Sequence, residues 1–110
     1  MVVGIDLVDI DDVRDALRTH GDRYLRRIYT ECEVDESRGR PERLAQCFAA
    51  KEAALKALRQ ADEAVPWPAI EVRGESLRLE GRAAELARGR QFAVSVSHEG
   101  PVAAAVVVAR

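Results

Sequence analysis

The sequence PERLAQCFAAKEAALKALRQA, residues 41–61, is the longest run of strong helix formers in the chain. Pro41 suits the first turn of a helix, and the segment AVPWP at residues 64–68 interrupts the helical pattern. At about 100° per residue, four large apolar side chains share one face of this helix: Leu44, Phe48, Leu55 and Leu58. We therefore expect one long helix that packs through this face against the rest of the protein.

Shorter elements surround the long helix. Residues 2–10 are apolar and β-branched and predict a buried strand, and residues 69–72 and 76–79 predict two short strands around a turn at Gly74. Two further strands, 91–97 and 102–109, are predicted to be joined by a turn at residues 98–101. Short helices are expected at residues 11–18, around 24–28, after Thr30 with a capping box to Glu33, and at 82–87. This order predicts an α+β fold with the long helix packed on a mostly antiparallel sheet.

Composition predicts a single soluble domain over residues 1–110, because the chain is too short to bury two cores and 47% of it is hydrophobic. The net charge of −2 argues against a nucleic-acid partner, and no apolar run is long enough to span a membrane. The first residues, MVVGIDLVDIDD, lack the basic start and cleavage site of a secretion signal. We therefore expect a cytoplasmic protein in which Cys32 and Cys47 are reduced.

Asp6 is unusual because it interrupts a strand whose other residues are mostly apolar on both faces. A carboxylate there is expected to be partly desolvated and to need a cation or hydrogen-bond donors. The structural alternative is an acid that caps the following helix, although Asp9 and Asp11 suit that role better.

Charged residues in the long helix raise a second question. Glu52 and Lys56 have the i, i+4 spacing of a solvated ion pair, which is the structural alternative to a role in a site. Lys51 falls within the apolar stripe, so it is expected either to extend along the surface to solvent or to face a cleft between subunits or an anionic ligand.

Two further groups could act on an anionic ligand or an acidic partner. His98 is expected at the start of a hairpin turn, either as a simple turn residue or as a donor to phosphate. Between Val13 and Tyr29, five arginines face only two aspartates, so this segment is either a docking patch for an acidic partner or an ordinary solvated surface. The arginines are Arg14, Arg18, Arg23, Arg26 and Arg27.

Three segments together resemble the holo-acyl-carrier-protein synthases of the 4′-phosphopantetheinyl transferase superfamily: GIDLVDI at residues 4–10, FAAKEAALKAL at 48–58 and VSVSH at 94–98. The resemblance implies that family's fold and the transfer of 4′-phosphopantetheine from coenzyme A to a serine of an apo acyl carrier protein, with release of adenosine 3′,5′-bisphosphate. It also implies a role in fatty-acid or polyketide biosynthesis. Members of the family that are this short form homotrimers with shared sites, which would give Lys51 a cleft to face.

The resemblance also implies roles for individual residues. Asp6 and Glu52 would hold Mg²⁺ on the diphosphate of coenzyme A, and Mg²⁺ characteristically takes one or two carboxylates together with phosphate oxygens. Glu52 would accept the serine proton, and Lys56 would stabilise the developing phosphate charge. The remaining assignments concern the nucleotide part of coenzyme A and carrier docking. Ser97 and His98 would lie near the nucleotide, Arg38 and Arg40 would meet its 3′-phosphate, and Arg14, Arg18 and Arg23 would dock the carrier.

Three positions depart from the family's pattern: Asp12 replaces an arginine that helps to dock the carrier, Cys47 replaces a basic residue, and residues 59–63, RQADE, replace a glycine-rich turn. These departures motivate one alternative, a non-catalytic relative that binds coenzyme A or the carrier. A second alternative is a Mg²⁺-dependent hydrolase of nucleotide diphosphates.

Overall fold

A computed structural model of the protein describes residues 1–58 and 64–109. Its strands are β1 (Val2–Asp9), β2 (Ile70–Arg73), β3 (Ser76–Leu79), β4 (Phe92–Glu99) and β5 (Val102–Ala109). Its helices are α1 (Ile10–His20), α2 (Asp22–Ile28), α3 (Glu31–Ser37), α4 (Pro41–Leu58) and α5 (Gly81–Ala87), with a single 3₁₀ turn at Trp67–Ala69. The departure at residues 59–63, and the expected end of the long helix at residue 61, lie outside the described residues.

The five strands form one sheet in the order β1-β5-β4-β3-β2, and every neighbouring pair is antiparallel. β5 lies between β1 and β4 and pairs with both along its whole length, from Val102 to Ala109. The pairing of β3 with β4 is limited to Ser76 and Ala93. Helix α4 packs on this sheet and contacts β1, β5 and β4. The predicted α+β fold, a long helix on an antiparallel sheet, is therefore confirmed.

Alanines, more than the predicted leucine stripe, bring α4 onto the sheet. The buried face of α4 contains Leu44 and Leu58, whereas Phe48 and Leu55 are only half-buried. Six alanines complete this face: Ala45, Ala49, Ala50, Ala53, Ala54 and Ala57. These small side chains let the helix approach β1 so closely that a Cβ added to Gly4 would lie 1.9 Å from the Ala53 carbonyl oxygen. The prediction that four large apolar side chains form the buried face of the helix was thus only partly right, because the close approach of α4 to β1 requires small side chains.

The ends of the short helices follow the sequence signals. The Asp9 side chain accepts a hydrogen bond from the backbone N–H of Asp11 at 2.9 Å and caps α1. Both halves of the predicted Thr30–Glu33 capping box are present at the start of α3. Because Asp9 supplies the cap, the alternative that Asp6 is a capping residue is wrong.

The C-terminal hairpin is longer than the sequence predicted. His98 and Glu99 pair with Ala103 and Val102, so they belong to β4 and not to the turn. The loop contains only Gly100, at φ +55°, and Pro101, whose carbonyl accepts a hydrogen bond from Ile10 N–H at 2.8 Å. A two-residue loop that begins with a positive-φ glycine matches the twist of the strands and lets their pairing continue to the end.

The second face of the sheet carries apolar side chains that the helices leave exposed. Alternate residues of β1 point to this face, and Val3, Ile5 and Leu7 are 50%, 56% and 66% exposed. By register they continue into the half-buried Val106 and Val108 of β5, and the exposed Val102 ends the row. This surface is called the outer face below. Among the described residues, no helix is long and apolar enough to cross a membrane.

Candidate active site

Asp6, Glu52 and Lys56 converge where β1 passes beside α4. Asp6 lies on the helix-facing side of β1, and its side chain is only 10% exposed. The Lys56 ammonium donates to Asp6 Oδ1 at 2.7 Å and to the backbone carbonyl of Ile5 at 3.2 Å. Lys56 therefore bridges helix and strand, which the i, i+4 pairing with Glu52 did not predict.

Glu52 lies against Asp6, and the two carboxyl groups perturb each other. Desolvation, then the negative charge of Asp6 and a hydrogen bond between the carboxyl groups, raise the pKa of Glu52 to about 7, although the charge of Lys56 opposes this. The hydrogen bond from Lys56 to Asp6, together with the carboxylate charge, raises the pKa of Lys56. The two acids thus form a cluster that favours the uptake of a proton or a cation.

The donor set fits a small divalent cation. Asp6 Oδ2 is buried and, when Glu52 is ionised, no donor in the described part of the chain reaches it, although buried carboxylate oxygens are normally satisfied. A cation bound by Asp6 and Glu52 would satisfy this oxygen and relieve the repulsion between the carboxylates. The described residues contain no group of three His, Cys, Asp or Glu placed for a metal, so this site supplies two carboxylates. Two carboxylates completed by water and phosphate oxygens are characteristic of Mg²⁺.

A separate cleft of about 460 Å³ lies where α1, the start of α4 and the C-terminal hairpin meet. Of the predicted coenzyme A residues, Arg40 and His98 line it, and so does Arg14, which was expected to dock the carrier. Asp11, Glu42, Arg43 and Gln46 also line this cleft. We call it the basic cleft, because three arginines and one histidine face two acids.

Arg38 and Ser97 are not brought together with His98. Arg38 is the left-handed residue that ends α3, at φ +52°, and it does not line the basic cleft. Ser97 is exposed and, by strand alternation, belongs to the outer face, opposite His98.

The predicted docking arginines form an exposed surface. Arg14 and Arg18 pair with Asp11 and Asp15 one turn before them, each at 2.6 Å. Arg23 is exposed at the start of α2. The two pairs on α1 reduce the charge of the patch without burying its guanidinium groups, so they remain accessible to a partner.

Lys51 is a structural residue, and the expectation that it faces solvent, an inter-subunit cleft or a ligand is wrong. Its side chain is fully buried and forms an ion pair with Glu33 at 2.7 Å. Its ammonium also donates to the carbonyls of Trp67 at 3.0 Å and Ile70 at 2.5 Å. Glu33 in turn accepts from the N–H of Thr30 and of Val72, so this network ties α3, α4 and β2 together.

Gln46 and Arg43 are functional candidates that the sequence analysis missed. The Gln46 side-chain nitrogen lies 2.9 Å from His98 Nδ1, and the residue is only 8% exposed. Gln46 and Arg43 also line a second cavity of about 230 Å³, next to Cys47 and Val96. The available signal was a polar residue within a buried, alanine-rich helix, but its partner is 52 positions away.

Comparison with known proteins gives a consistent result. The family model of the 4′-phosphopantetheinyl transferase superfamily matches residues 2–107. The holo-[acyl-carrier-protein] synthase of Herpetosiphon aurantiacus is 39% identical in an alignment 123 positions long, which covers 98% of this chain and 97% of that protein. The synthase of the same name from Koribacter versatilis is 37% identical, and the match covers 96% of this chain and 94% of that protein.

Solved structures share the fold. The Chronobacterium ammoniagenes ACPS-CoA complex is 30% identical with a TM-score of 0.82, covering 99% of this chain and 96% of that one. The Helicobacter pylori holo-[acyl-carrier-protein] synthase in complex with coenzyme A has a TM-score of 0.88 over 98% of this chain and 99% of that one. At 24% identity, this second likeness bears on the fold alone.

Proposed function

The chain belongs to the 4′-phosphopantetheinyl transferase superfamily, among the holo-[acyl-carrier-protein] synthases, and we propose that it transfers 4′-phosphopantetheine from coenzyme A to a serine of an apo acyl carrier protein. We further propose that the reaction depends on Mg²⁺ and releases adenosine 3′,5′-bisphosphate. The observation that carries the proposal is the convergence of Asp6 with Glu52 and Lys56, which lie 46 and 50 positions after it in the sequence. A surface ion pair between Glu52 and Lys56 would not require Asp6.

The chemistry follows from the charges of these three residues. Mg²⁺ held by Asp6 and Glu52 would neutralise the diphosphate of coenzyme A. The serine oxygen attacks the phosphorus that carries pantetheine, and the bond from that phosphorus to the bridging oxygen breaks. The electron pair leaves with adenosine 3′,5′-bisphosphate, and Glu52 accepts the serine proton. Lys56, which Asp6 and the Ile5 carbonyl hold in place, stabilises the charge that develops on the phosphoryl oxygens.

The basic cleft supplies cations for the other phosphate groups. We propose that Arg40 and His98 bind the phosphorylated nucleotide of coenzyme A there. Arg38, at the end of α3, remains a candidate contact for the 3′-phosphate outside this cleft. The cluster of Asp6, Glu52 and Lys56, together with the basic cleft, favours an active transferase over a non-catalytic relative that only binds coenzyme A or the carrier.

We also propose that the protein is a homotrimer that assembles through the outer face. Val3, Ile5 and Leu7 expose apolar side chains on the strand whose opposite side carries Asp6, so an interface there would adjoin the site. Ser97 belongs to the same face, where it would meet a neighbouring copy's site. Val3→Glu is expected to yield monomers in sedimentation experiments with the far-UV spectrum retained. A variant that stays oligomeric would place the interface elsewhere.

Carrier docking is assigned to Arg14, Arg18 and Arg23, whose exposed side chains suit an acidic partner. Arg18→Glu is expected to raise the KM for the carrier and to leave the KM for coenzyme A unchanged. We also propose a cytoplasmic location, in which the free thiols of Cys32 and Cys47 would stay reduced.

The decisive experiment incubates the protein with coenzyme A, Mg²⁺ and an apo carrier, and weighs the carrier by mass spectrometry. Glu52→Gln is expected to lower transfer by at least about 100-fold while the fold is retained, because a general base contributes about that much. Glu75→Gln, the same change at an exposed turn, is the matched control. Release of adenosine 3′,5′-bisphosphate without any carrier would identify a hydrolase instead. Wild-type rates in Glu52→Gln would remove Glu52 from the chemistry.

A further inference from the structure

Gln46 and His98 form a pair that borders the basic cleft. The two side chains lie 2.9 Å apart, between the amide nitrogen and Nδ1 of the ring. His98 is exposed to the cleft, whereas Gln46 is buried in α4. Because Nδ1 is hydrogen-bonded to Gln46, the other ring nitrogen, Nε2, is the one available to a ligand.

The chemistry of the pair fixes what Nε2 presents. An amide nitrogen can only donate, so Nδ1 accepts, and the neutral ring carries its proton on Nε2. Gln46 Oε1 is buried and has no hydrogen-bond partner in the described residues. Rotation of the amide by about 180° therefore breaks no hydrogen bond to this oxygen. After rotation, Oε1 accepts from Nδ1–H of a positively charged ring. With the amide nitrogen toward Nδ1 of the neutral ring, as in the structure, and the amide oxygen toward Nδ1–H of the charged ring, Nε2–H is the group that faces the cleft.

We propose that Gln46 is a positioning residue: it holds His98 so that Nε2–H donates to a phosphate oxygen of coenzyme A in the basic cleft. This inference rests on the proposed function, and it adds a residue and its role to the recognition of that substrate. Gln46 acts through His98 and not on the reacting phosphorus.

The charges around the pair favour a phosphate. Arg14 is paired with Asp11, and Arg43 lies 3.4 Å from Glu36, so these two cations are partly neutralised. Arg40 donates only to the carbonyl of Ser37, at 3.4 Å, among the contacts in the described residues. The acids that face the cleft are Asp11 on α1 and Glu42 on α4, against Arg14, Arg40 and Arg43. Among the lining residues there is one more cation than acids, and Glu36 is the residue outside the lining that offsets part of it. Together with the ring N–H, these guanidinium groups suit an anion with several acceptor oxygens.

The first test measures the ring directly. The chain has two histidines, and His20→Gln leaves only the His98 signal in a nitrogen–proton correlation spectrum. Neutral His98 is expected to show the Nε2–H form alone, and Gln46→Met is expected to show a mixture of both forms. Identical spectra for the two proteins would overturn the inference. Gln46→Met is expected to fold, because an apolar side chain of similar shape replaces a buried amide with an unsatisfied oxygen.

The second test measures binding and turnover. Gln46→Met is expected to raise the KM for coenzyme A about three- to tenfold with little change in kcat, the range that corresponds to one hydrogen bond. His98→Ala combined with Gln46→Met is expected to be no worse than His98→Ala alone, whereas additive effects would contradict a shared role. Gln91→Met, the same change at an exposed residue, is the control.

Calorimetry with adenosine 3′,5′-bisphosphate separates this inference from the proposed function. Tight binding to the wild type and weaker binding to Gln46→Met would support both. Equal binding to the two proteins would overturn only the role of Gln46. A wild-type protein that neither binds the bisphosphate nor modifies a carrier would overturn the proposed function, and the inference with it.

Discussion

Replacing Lys51 by methionine tests whether the buried ion pair holds three elements together. The side chains of Lys51 and Glu33 are 0% and 2% exposed, and the pair is separated by 2.7 Å. Methionine fills a similar volume but leaves the Glu33 carboxylate without its cation. The carbonyls of Trp67 and Ile70 both lose the ammonium donor, and the Trp67 carbonyl keeps only the backbone N–H of Ile70. Breaking a buried pair in this way costs about 3–5 kcal/mol. Domains of this size are stable by only about 5–15 kcal/mol, so the loss should be a large share of the total.

The assay is urea unfolding followed by circular dichroism at a fixed protein concentration, since the proposed trimer would make stability concentration-dependent. Lys51→Met is expected to lower the unfolding midpoint strongly. Arg18→Met, which breaks an ion pair whose side chains are 73% and 59% exposed, is expected to stay near the wild type. Adding Glu33→Gln to Lys51→Met should recover part of the loss, because it removes the uncompensated charge. A Lys51→Met protein within about 1 kcal/mol of the wild type would refute the reasoning, because breaking a buried pair should cost more than that.

Three further predictions concern packing, metal binding and the thiol. Gly4→Ala should lower the Tm in thermal unfolding, because the added Cβ would lie 1.9 Å from the Ala53 carbonyl oxygen. An unchanged Tm would contradict that close approach. The raised pKa of Glu52, about 7 without metal, means that the folded metal-free protein favours the protonated acid, so its stability should fall as pH rises from about 4.5 through about 7. Mg²⁺ should therefore raise the Tm more at pH 8 than at pH 5.5, and Asp6→Asn should abolish this difference; equal shifts at both pH values would count against the two-carboxylate site. Cys47→Ser should change kcat/KM less than about twofold, because burial and then the charge of Glu33 raise the pKa of this thiol and keep it neutral; a large loss of activity would show that the thiol takes part.

Local signals in the sequence were sufficient for most of the secondary structure. The helix from Pro41, the Thr30–Glu33 capping box and the β-branched first strand each depend on residues within a few positions, so they could be read without tertiary information. Asp6 and Glu52 could be singled out because a carboxylate among apolar strand residues, and the motif around the helix glutamate, are unusual. Their convergence was a prediction that depended on the resemblance, and in the tertiary structure the Asp6 carboxylate is near enough to raise the pKa of Glu52.

Partners that lie far apart in the sequence were decided only by the tertiary structure. Lys51 is neutralised by Glu33, Lys56 binds Asp6, and His98 binds Gln46, and none of these pairs has a local spacing that identifies it. The helical period predicts which side of α4 a residue occupies, but it does not predict which residue of another element that side chain contacts. That depends on strand register, and on the close approach that the alanines of α4 and Gly4 allow. The physical reason is that burial and ion pairing are properties of the assembled core, whereas helix capping and strand propensity are properties of neighbouring residues.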